Sequence, residues 1–453
     1  NVFVDGGDST WTVVADDRES TFGLDVDTGS FTVGRRFLDE GHLPEPESIR
    51  VEEWLNAFDY TMHPTGGGPL GVVVETVDAP RADDGTQLVR VAVSTDELAA
   101  ADRPAAHLTF VIDTSGSMDI RQRLGLVQSS LALLVNELNP DDTIAIVTYG
   151  DDAVPVLAPT PVSEADTIID AIDDLGPGGS TNMEAGLMLG YEQAREAYRA
   201  DAINVVVLAS DGVANVGVTD ADVLTEQITQ AGEQGIHLVT VGYGMGNYND
   251  HLMEQLADQG DGFYSYVDTF EEAERLFVED LTPTLTVVAE EAKVQVVFDD
   301  EVVEAYRLIG YENRQLDDGD FRDDTVDAGE LGAGHHVTAL YEVRLSADGP
   351  SERIPSPDGP PLGEVRLRWT SPETGEATEI DAVIPPNAAT PSTDIRLAAL
   401  VADLAELLKG NEVVDERGVT LAQLHDDAEL LADEDVDGAD ELVELIEQAQ
   451  SID

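Results

Sequence analysis

Three oxygen-bearing side chains occupy alternate positions directly after an apolar run. Val111-Ile112 leads into Asp113-Thr114-Ser115-Gly116-Ser117, so a single short loop carries the carboxylate of Asp113 and the hydroxyls of Ser115 and Ser117. Oxygen donors of this kind suit hard divalent cations such as Mg²⁺, Mn²⁺ or Ca²⁺ and do not suit softer metals. Gly116 lets the loop bend tightly enough for both hydroxyls to face one point. The pattern predicts part of a cation site.

Two later loops offer further oxygen ligands. Thr181 lies in the loop 178–182 before a predicted helix, and Asp211 follows the apolar run 202–209. In an open α/β sheet, the loops at the carboxyl ends of the strands converge in one crevice, so all three segments are expected on the same side of the sheet. The alternative is that Asp113 and Ser115 only cap the following helix and that Asp211 begins a turn.

These loops belong to residues 105–282, in which apolar strands alternate with helical patterns. Continuous apolar runs separated by helices are typical of strands that are buried on both faces. The alternation therefore predicts an α/β fold with a mostly parallel sheet flanked by helices. The predicted strands are 107–112, 143–148, 202–209 and 236–241.

The order Asp-x-Ser-x-Ser, then Thr, then Asp resembles the metal-ion-dependent adhesion site of von Willebrand factor A (VWA) and integrin I domains. The residues that match this pattern one by one are Asp113, Ser115, Ser117, Thr181 and Asp211. The resemblance implies a Rossmann-like VWA domain over residues 105–282. It also implies that both serines contact the ion directly, whereas the threonine and the two aspartates bind it directly or through water.

Such a site leaves the cation under-neutralised and able to take an outside ligand. Mg²⁺ prefers octahedral geometry, so water or an incoming carboxylate fills the positions that the protein does not supply. We therefore expect a protein partner that binds through an Asp or Glu carboxylate. Mg²⁺ is the favoured cofactor, with Ca²⁺ or Mn²⁺ as alternatives.

The charge of the 453-residue chain is extreme, because 93 acidic residues outnumber 23 lysines and arginines and give a formal net charge of -70. The carboxylates are spread along the whole chain, which is typical of a haloarchaeal-type surface on which molar salt screens the repulsion. An acidic interaction protein from an ordinary organism is the alternative. No basic stripe is present, which argues against a nucleic-acid partner. The absence of cysteine excludes disulfides and thiolate sites.

The flanking regions are rich in β patterns and end in helices. Strands at 70–98 and 285–385, including separate strands at 285–288 and 293–298, predict one antiparallel β-sandwich with the α/β domain inserted in it or flanked by it. The predicted domains are an N-terminal VWA-associated region (1–69), β-strands of the sandwich (70–104), the VWA domain (105–282), the β-sandwich (283–390) and a C-terminal helical region (391–453).

The wider chain resembles bacterial and archaeal VWA-containing surface lipoproteins. The similar segments are 20–31, 35–38, 50–60 and 285–453. The resemblance implies a cell-surface or extracellular location. No apolar run reaches the roughly 18 residues of a membrane span, so membrane attachment is expected only through an anchor absent from this chain.

A second candidate cation site lies near the C-terminus. Asp433, Asp435, Asp437 and Glu444, with Gly438 between them, match the ligand spacing of an EF-hand calcium loop. Against this interpretation, Asp440 replaces the usual aliphatic residue, and in so acidic a chain such spacings arise by chance.

These features together predict a divalent-cation-dependent protein-binding or adhesion protein at the cell surface of a halophile. One alternative is a structural subunit that self-assembles as a homo-oligomer, surface filament or layer. Another is an accessory subunit of a AAA+ ATPase. We do not expect an enzyme, because the chain lacks a Gly-x-Ser-x-Gly elbow, a His-Glu-x-x-His motif and a phosphate loop.

Overall fold

The computed structural model divides into two compact units. Over the residues that the structure describes, one unit is a continuous segment within Glu97–Thr286, and the other combines segments within Asp5–Asp96 and Val287–Asp453. The residues that the structure describes are 7–24, 27–61, 69–82, 84–96, 103–211, 221–232, 234–244, 250–280, 286–324, 326, 328–346, 359–372, 374–387 and 390–452.

Strands and helices alternate along the continuous unit. In the other unit, runs of strands are followed by runs of helices. The strands are β1 (Thr12–Val13), β2 (Glu19–Gly23), β3 (Leu70–Asp78), β4 (Gln87–Thr95), β5 (Ala106–Asp113), β6 (Thr143–Tyr149), β7 (Ala153–Pro161), β8 (Ile203–Ser210), β9 (His237–Tyr243), β10 (Tyr264–Val267), β11 (Val287–Phe298), β12 (Val303–Ile309), β13 (Gln315–Leu316), β14 (Gly329–Gly332), β15 (His336–Leu345), β16 (Gly363–Thr370) and β17 (Ala377–Ile384). The α-helices are α1 (Gly29–Asp39), α2 (Val51–Asn56), α3 (Arg123–Glu137), α4 (Ala165–Asp173), α5 (Met183–Ala197), α6 (Ala221–Gly232), α7 (Asp250–Gln259), α8 (Phe270–Glu274), α9 (Thr393–Lys409), α10 (Glu412–Arg417), α11 (Leu421–Asp433) and α12 (Ala439–Ile452).

The continuous unit is built on a six-stranded sheet in the order β10-β9-β8-β5-β6-β7. All neighbouring strands are parallel except β7, which runs antiparallel to β6. Every residue of the central strands β5 and β8 is buried, as continuous apolar runs require. The structure thus confirms the predicted mostly parallel sheet flanked by helices.

Two glycines let α5 pack closely on this sheet. A Cβ at Gly190 would lie 2.3 Å from Val111 Cγ2, and one at Gly186 would lie 2.6 Å from Tyr149 Cδ1. The helix therefore rests with its backbone against β5 and β6. Because the loop before α5 carries Thr181, this packing also fixes where that loop lies.

The second unit contains two antiparallel sheets, ordered β1-β12-β15-β4-β3 and β13-β2-β11-β16-β17, with β14 pairing β11. One hydrophobic core joins them, with Val91 and Tyr341 from the first sheet and Phe22 and Val296 from the second. The predicted β-sandwich is confirmed at this level. The separate strands predicted at 285–288 and 293–298 are one strand, β11. The pairing of this strand shifts register near Glu291, whose φ of 53° marks a bulge.

Helices cover the outer face of the first sheet. Leu88 and Leu340 of this sheet belong to a second core with Trp54 of α2, Leu400 of α9 and Leu442 of α12. Among the helices that the structure describes, none has the length and apolar content needed to span a bilayer.

Candidate metal site

The strand register places two of the predicted ligands at the carboxyl ends of two central strands. Asp113 is the last residue of β5, and Asp211 directly follows the last residue of β8, Ser210. The two strands are parallel neighbours, with Ile112 opposite Ala209. Both carboxylates consequently leave the sheet at its carboxyl end, side by side.

Hydrogen bonds hold the first loop around Asp113. Its Oδ1 accepts from the backbone N–H of Ser115 at 2.8 Å, and its Oδ2 accepts from the Ser210 hydroxyl at 3.1 Å. The hydroxyl oxygens of Ser115 and Ser117 are 2.9 Å apart. One fully buried carboxylate and two hydroxyls therefore form a compact oxygen cluster.

Backbone contacts bring the Thr181 loop to the same place. The N–H of Gly116 donates to the carbonyl of Gly179 at 3.2 Å, and the N–H of Gly178 donates to the carbonyl of Thr114 at 2.5 Å. Thr181 itself is buried, and the next residue, Asn182, caps α5 by accepting from the N–H of Ala185 at 3.1 Å. The end of β5 and the loops that carry the other four predicted site residues thus meet at the carboxyl ends of the strands.

Burial makes the negative charge at this edge costly. It raises the pKa of Asp113 to about 6, and the charge of Asp211 adds to the increase, although the hydrogen bonds from Ser115 and Ser210 oppose it. Two buried carboxylates near each other are relieved by a positive charge between them. The donor set consists of oxygens alone, so it fits a hard divalent cation.

Sequence reasoning missed one charged residue beside the site. Arg123, the first residue of α3, donates from Nη1 to Oδ2 of Asp211 at 2.7 Å, and both side chains are almost fully buried. The two residues are 88 positions apart, so spacing gave no sign of the pair. The only available signal was a basic residue at the start of the helix that follows the Asp-x-Ser-x-Ser loop.

The EF-hand-like segment is arranged differently. Asp433 ends α11, Asp435 and Asp437 lie in the short connection, and Glu444 lies within α12. All four residues are described, and no three of their carboxylates form a group with oxygens within 4.8 Å of one another. The helix that begins at Ala439 covers the second half of the predicted calcium loop, and the calcium site stays a prediction of the sequence.

Three family models together match almost the whole chain. The model described as "von Willebrand factor type A domain" matches residues 107–279. The model described as "von Willebrand factor" matches residues 2–90, and the one described as "Uncharacterized protein YfbK, C-terminal" matches residues 283–452.

Similar proteins give the same picture. The chain is 38% identical to YfbK of Escherichia coli (strain K12) over 458 residues, which cover 97% of this chain and 79% of YfbK. It is 26% identical to inter-alpha-trypsin inhibitor heavy chain H3 of Homo sapiens over 266 residues, 53% of this chain and 28% of that protein. A solved structure, "von Willebrand factor type A from Catenulispora acidiphila", covers 84% of this chain and 90% of its own at 18% identity, with a TM-score of 0.46. The identity to YfbK over most of both chains, together with the match to the VWA model, shows that the chain belongs to the family of VWA-domain proteins that includes YfbK.

Proposed function

We propose that this chain binds a protein partner through a divalent cation held at the carboxyl ends of β5 and β8. VWA domains mediate protein–protein interactions and commonly bind a divalent cation. The observation that carries the proposal is the oxygen cluster of the buried Asp113 and Ser115 and the half-buried Ser117, which lies beside Asp211 and the Thr181 loop.

The hydroxyl and carboxylate side chains have different roles in binding the ion. The hydroxyls of Ser115 and Ser117 face each other closely enough to share one ion, while Asp113 and Asp211 balance its charge. A bound Mg²⁺, Mn²⁺ or Ca²⁺ would supply local positive charge and coordination positions for a carboxylate. On a chain of net charge -70 that charge matters, because an acidic partner is otherwise repelled.

The proposed setting is the cell surface of a halophile. The spread of acidic residues supports the halophilic origin, and the resemblance to surface lipoproteins supports the location. Protease treatment of intact cells would test it, since a surface protein is degraded and an internal one is protected. No catalytic role is proposed, because homologous VWA proteins are mostly non-enzymatic.

The test of the metal site uses Mn²⁺ as the probe. Isothermal titration in molar KCl, which weakens binding to scattered surface carboxylates, should show one tight Mn²⁺ per wild-type chain. S115A removes one proposed ligand and should lower the affinity by about ten-fold or more. Acetate added to the Mn²⁺-loaded protein should displace bound water, which is measured by water-proton relaxation.

S129A is the matched control, because Ser129 is on the same polypeptide stretch but its hydroxyl only donates to the carbonyl of Gly125 on the exposed side of α3. It should bind Mn²⁺ as the wild type does. Equal Mn²⁺ binding by wild type, S115A and S129A would show that the ion is not held by this cluster and would overturn the proposal.

A further inference from the structure

The side chain of Arg123 lies at the proposed metal site in a fixed position. Its Nη1 is 2.7 Å from Oδ2 of Asp211, and only 9% of the side chain is exposed. Asp211 is a proposed ligand of the cation. A permanently charged guanidinium therefore contacts a residue that would itself contact the ion. Arginine remains charged at every pH at which the protein is folded.

A glycine at the end of β9 makes room for this side chain. Gly244 follows β9 directly, and a Cβ there would lie 2.3 Å from Nε and 2.8 Å from Cδ of Arg123. Its φ of 79° also disfavours other residues. The arginine stem therefore passes directly over the backbone of residue 244, and no alternative residue fits there without displacing it.

The charge count at the site changes because of this arginine. Asp113 and Asp211 together carry two negative charges, which a divalent cation neutralises to zero. With Arg123 included, the loaded site has a net charge of about +1 by the same count. Buried charges are screened little by salt, so this difference persists in molar KCl.

We propose that Arg123 sets the ligand preference of the site: it keeps the loaded site cationic, which favours a carboxylate ligand and weakens the hold on the metal itself. This inference rests on the proposed function, since it concerns the same cation. Arg123 has two roles in this proposal. It positions Asp211 by a hydrogen bond, and it adds positive charge to the loaded site.

A comparable ion pair at the amino-terminal ends of the strands has only a structural role. Arg103 binds both oxygens of Asp142, at 3.0 and 2.5 Å, just before β5 and β6 begin. Asp142 also accepts the backbone N–H groups of Ala106 and Asn139. That pair ties two strand starts together, far along the strands from Asp113, and provides a matched control.

The test compares R123Q with the wild type in two titrations, Mn²⁺ alone and acetate added to the Mn²⁺-loaded protein. Loss of the neighbouring positive charge should make Mn²⁺ bind at least about ten-fold more tightly and acetate at least about ten-fold more weakly. R123K keeps the charge and should change each affinity by less than about three-fold. R123M, which keeps the apolar stem over Gly244, is the second neutral variant if R123Q does not fold.

A purely structural role of Arg123 would not make Mn²⁺ bind more tightly and acetate more weakly in the same variant. R103Q should lower the melting temperature but leave both affinities unchanged. Weaker Mn²⁺ binding or unchanged acetate binding in the neutral variants would overturn the inference and leave Arg123 as a support for Asp211 alone. Failure of the proposed function would look different, because the wild type itself would then bind no specific Mn²⁺.

Discussion

At the scale of single residues, His335 shows how burial sets a charge state. It precedes β15, and its Nδ1 accepts the backbone N–H of Gly332 at 3.1 Å, which requires that this nitrogen carry no proton. Burial and the neighbouring His336 lower its pKa to about 4. The folded protein therefore holds this imidazole neutral.

The stability of the β-sandwich unit should consequently depend on pH through His335. The unfolded chain takes up this proton near pH 6.5 and the folded chain only near pH 4, so stability falls as pH drops through that window, by up to about 3 kcal/mol. Below about pH 4 the group adds no further change. Urea unfolding followed by tryptophan fluorescence measures this unit, since Trp11, Trp54 and Trp369 all belong to it.

H335Q is the reference variant, because every other group titrates alike in both proteins. The unfolding free energy of the wild type minus that of H335Q should decrease steadily as the pH falls from 6.5 to 4. A difference that stays constant across this range would show that His335 is protonated equally in the folded and unfolded chain.

The ligand residues of the proposed metal site could be predicted from sequence, but its charge could not. Asp113, Ser115 and Ser117 are adjacent in the chain, and Thr181 and Asp211 follow recognisable loop and strand signals. Arg123 acquires its role only through a contact made across 88 positions and through the space over Gly244. Neither depends on a local pattern.

At the scale of elements, α5 illustrates a packing constraint that can be measured. G190A places a methyl group where Val111 Cγ2 is 2.3 Å away, so Val111 or the helix must shift. We expect a loss of about 1–3 kcal/mol in unfolding free energy, as for other overpacked cores. Far-UV circular dichroism during thermal unfolding provides the measurement.

G125A is the matched control for this substitution. Gly125 is an exposed residue in α3, so the added methyl group meets solvent and only improves helix propensity. This variant should gain about 0.5–1 kcal/mol. Equal effects of the two substitutions would contradict the close approach of α5 to the sheet.

The elements that sequence patterns predicted are those with a strong period or a long apolar run. The four predicted strands correspond to β5, β6, β8 and β9, whereas the two edge strands, β7 and the four-residue β10, were missed. The prolines of β7, at 155, 159 and 161, are unfavourable within a sheet, and β7 tolerates them because it lies at the edge. The bulge in β11 was missed for a similar reason, since a local register shift leaves the apolar content of the strand unchanged.

At the scale of the whole molecule, basic residues are scarce, and several of them form ion pairs inside the fold. Arg307 is fully buried and binds Glu406 and Glu342, and Arg81 pairs with Asp403. Because 93 acidic residues face only 23 lysines and arginines, and some of these are buried, most surface carboxylates have no positive residue to balance them. The surface therefore depends on dissolved cations to limit its self-repulsion.

Stability should accordingly rise with salt. Between about 0.2 and 2 M KCl, the melting temperature should increase by roughly 10 °C or more, because the Debye length falls from several ångströms to below the spacing of most surface charges. Differential scanning calorimetry measures the change. A variant with the exposed carboxylates of α11 and α12 replaced by amides should show a smaller increase. A melting temperature that is independent of KCl would contradict the halophilic interpretation.

The β-sandwich is assembled from two chain segments with about 190 residues between them, and its strands interleave: β4 lies between β3 and β15, and β2 pairs with β11. During synthesis, β3 and β4 can pair with each other at once, but β2 and β4 leave the ribosome long before β11 and β15, which pair with them, exist. The VWA domain, made from one continuous segment, can complete its sheet in that interval. The VWA domain can therefore fold before the sandwich is complete, whereas the sandwich has to wait until β17 has been made.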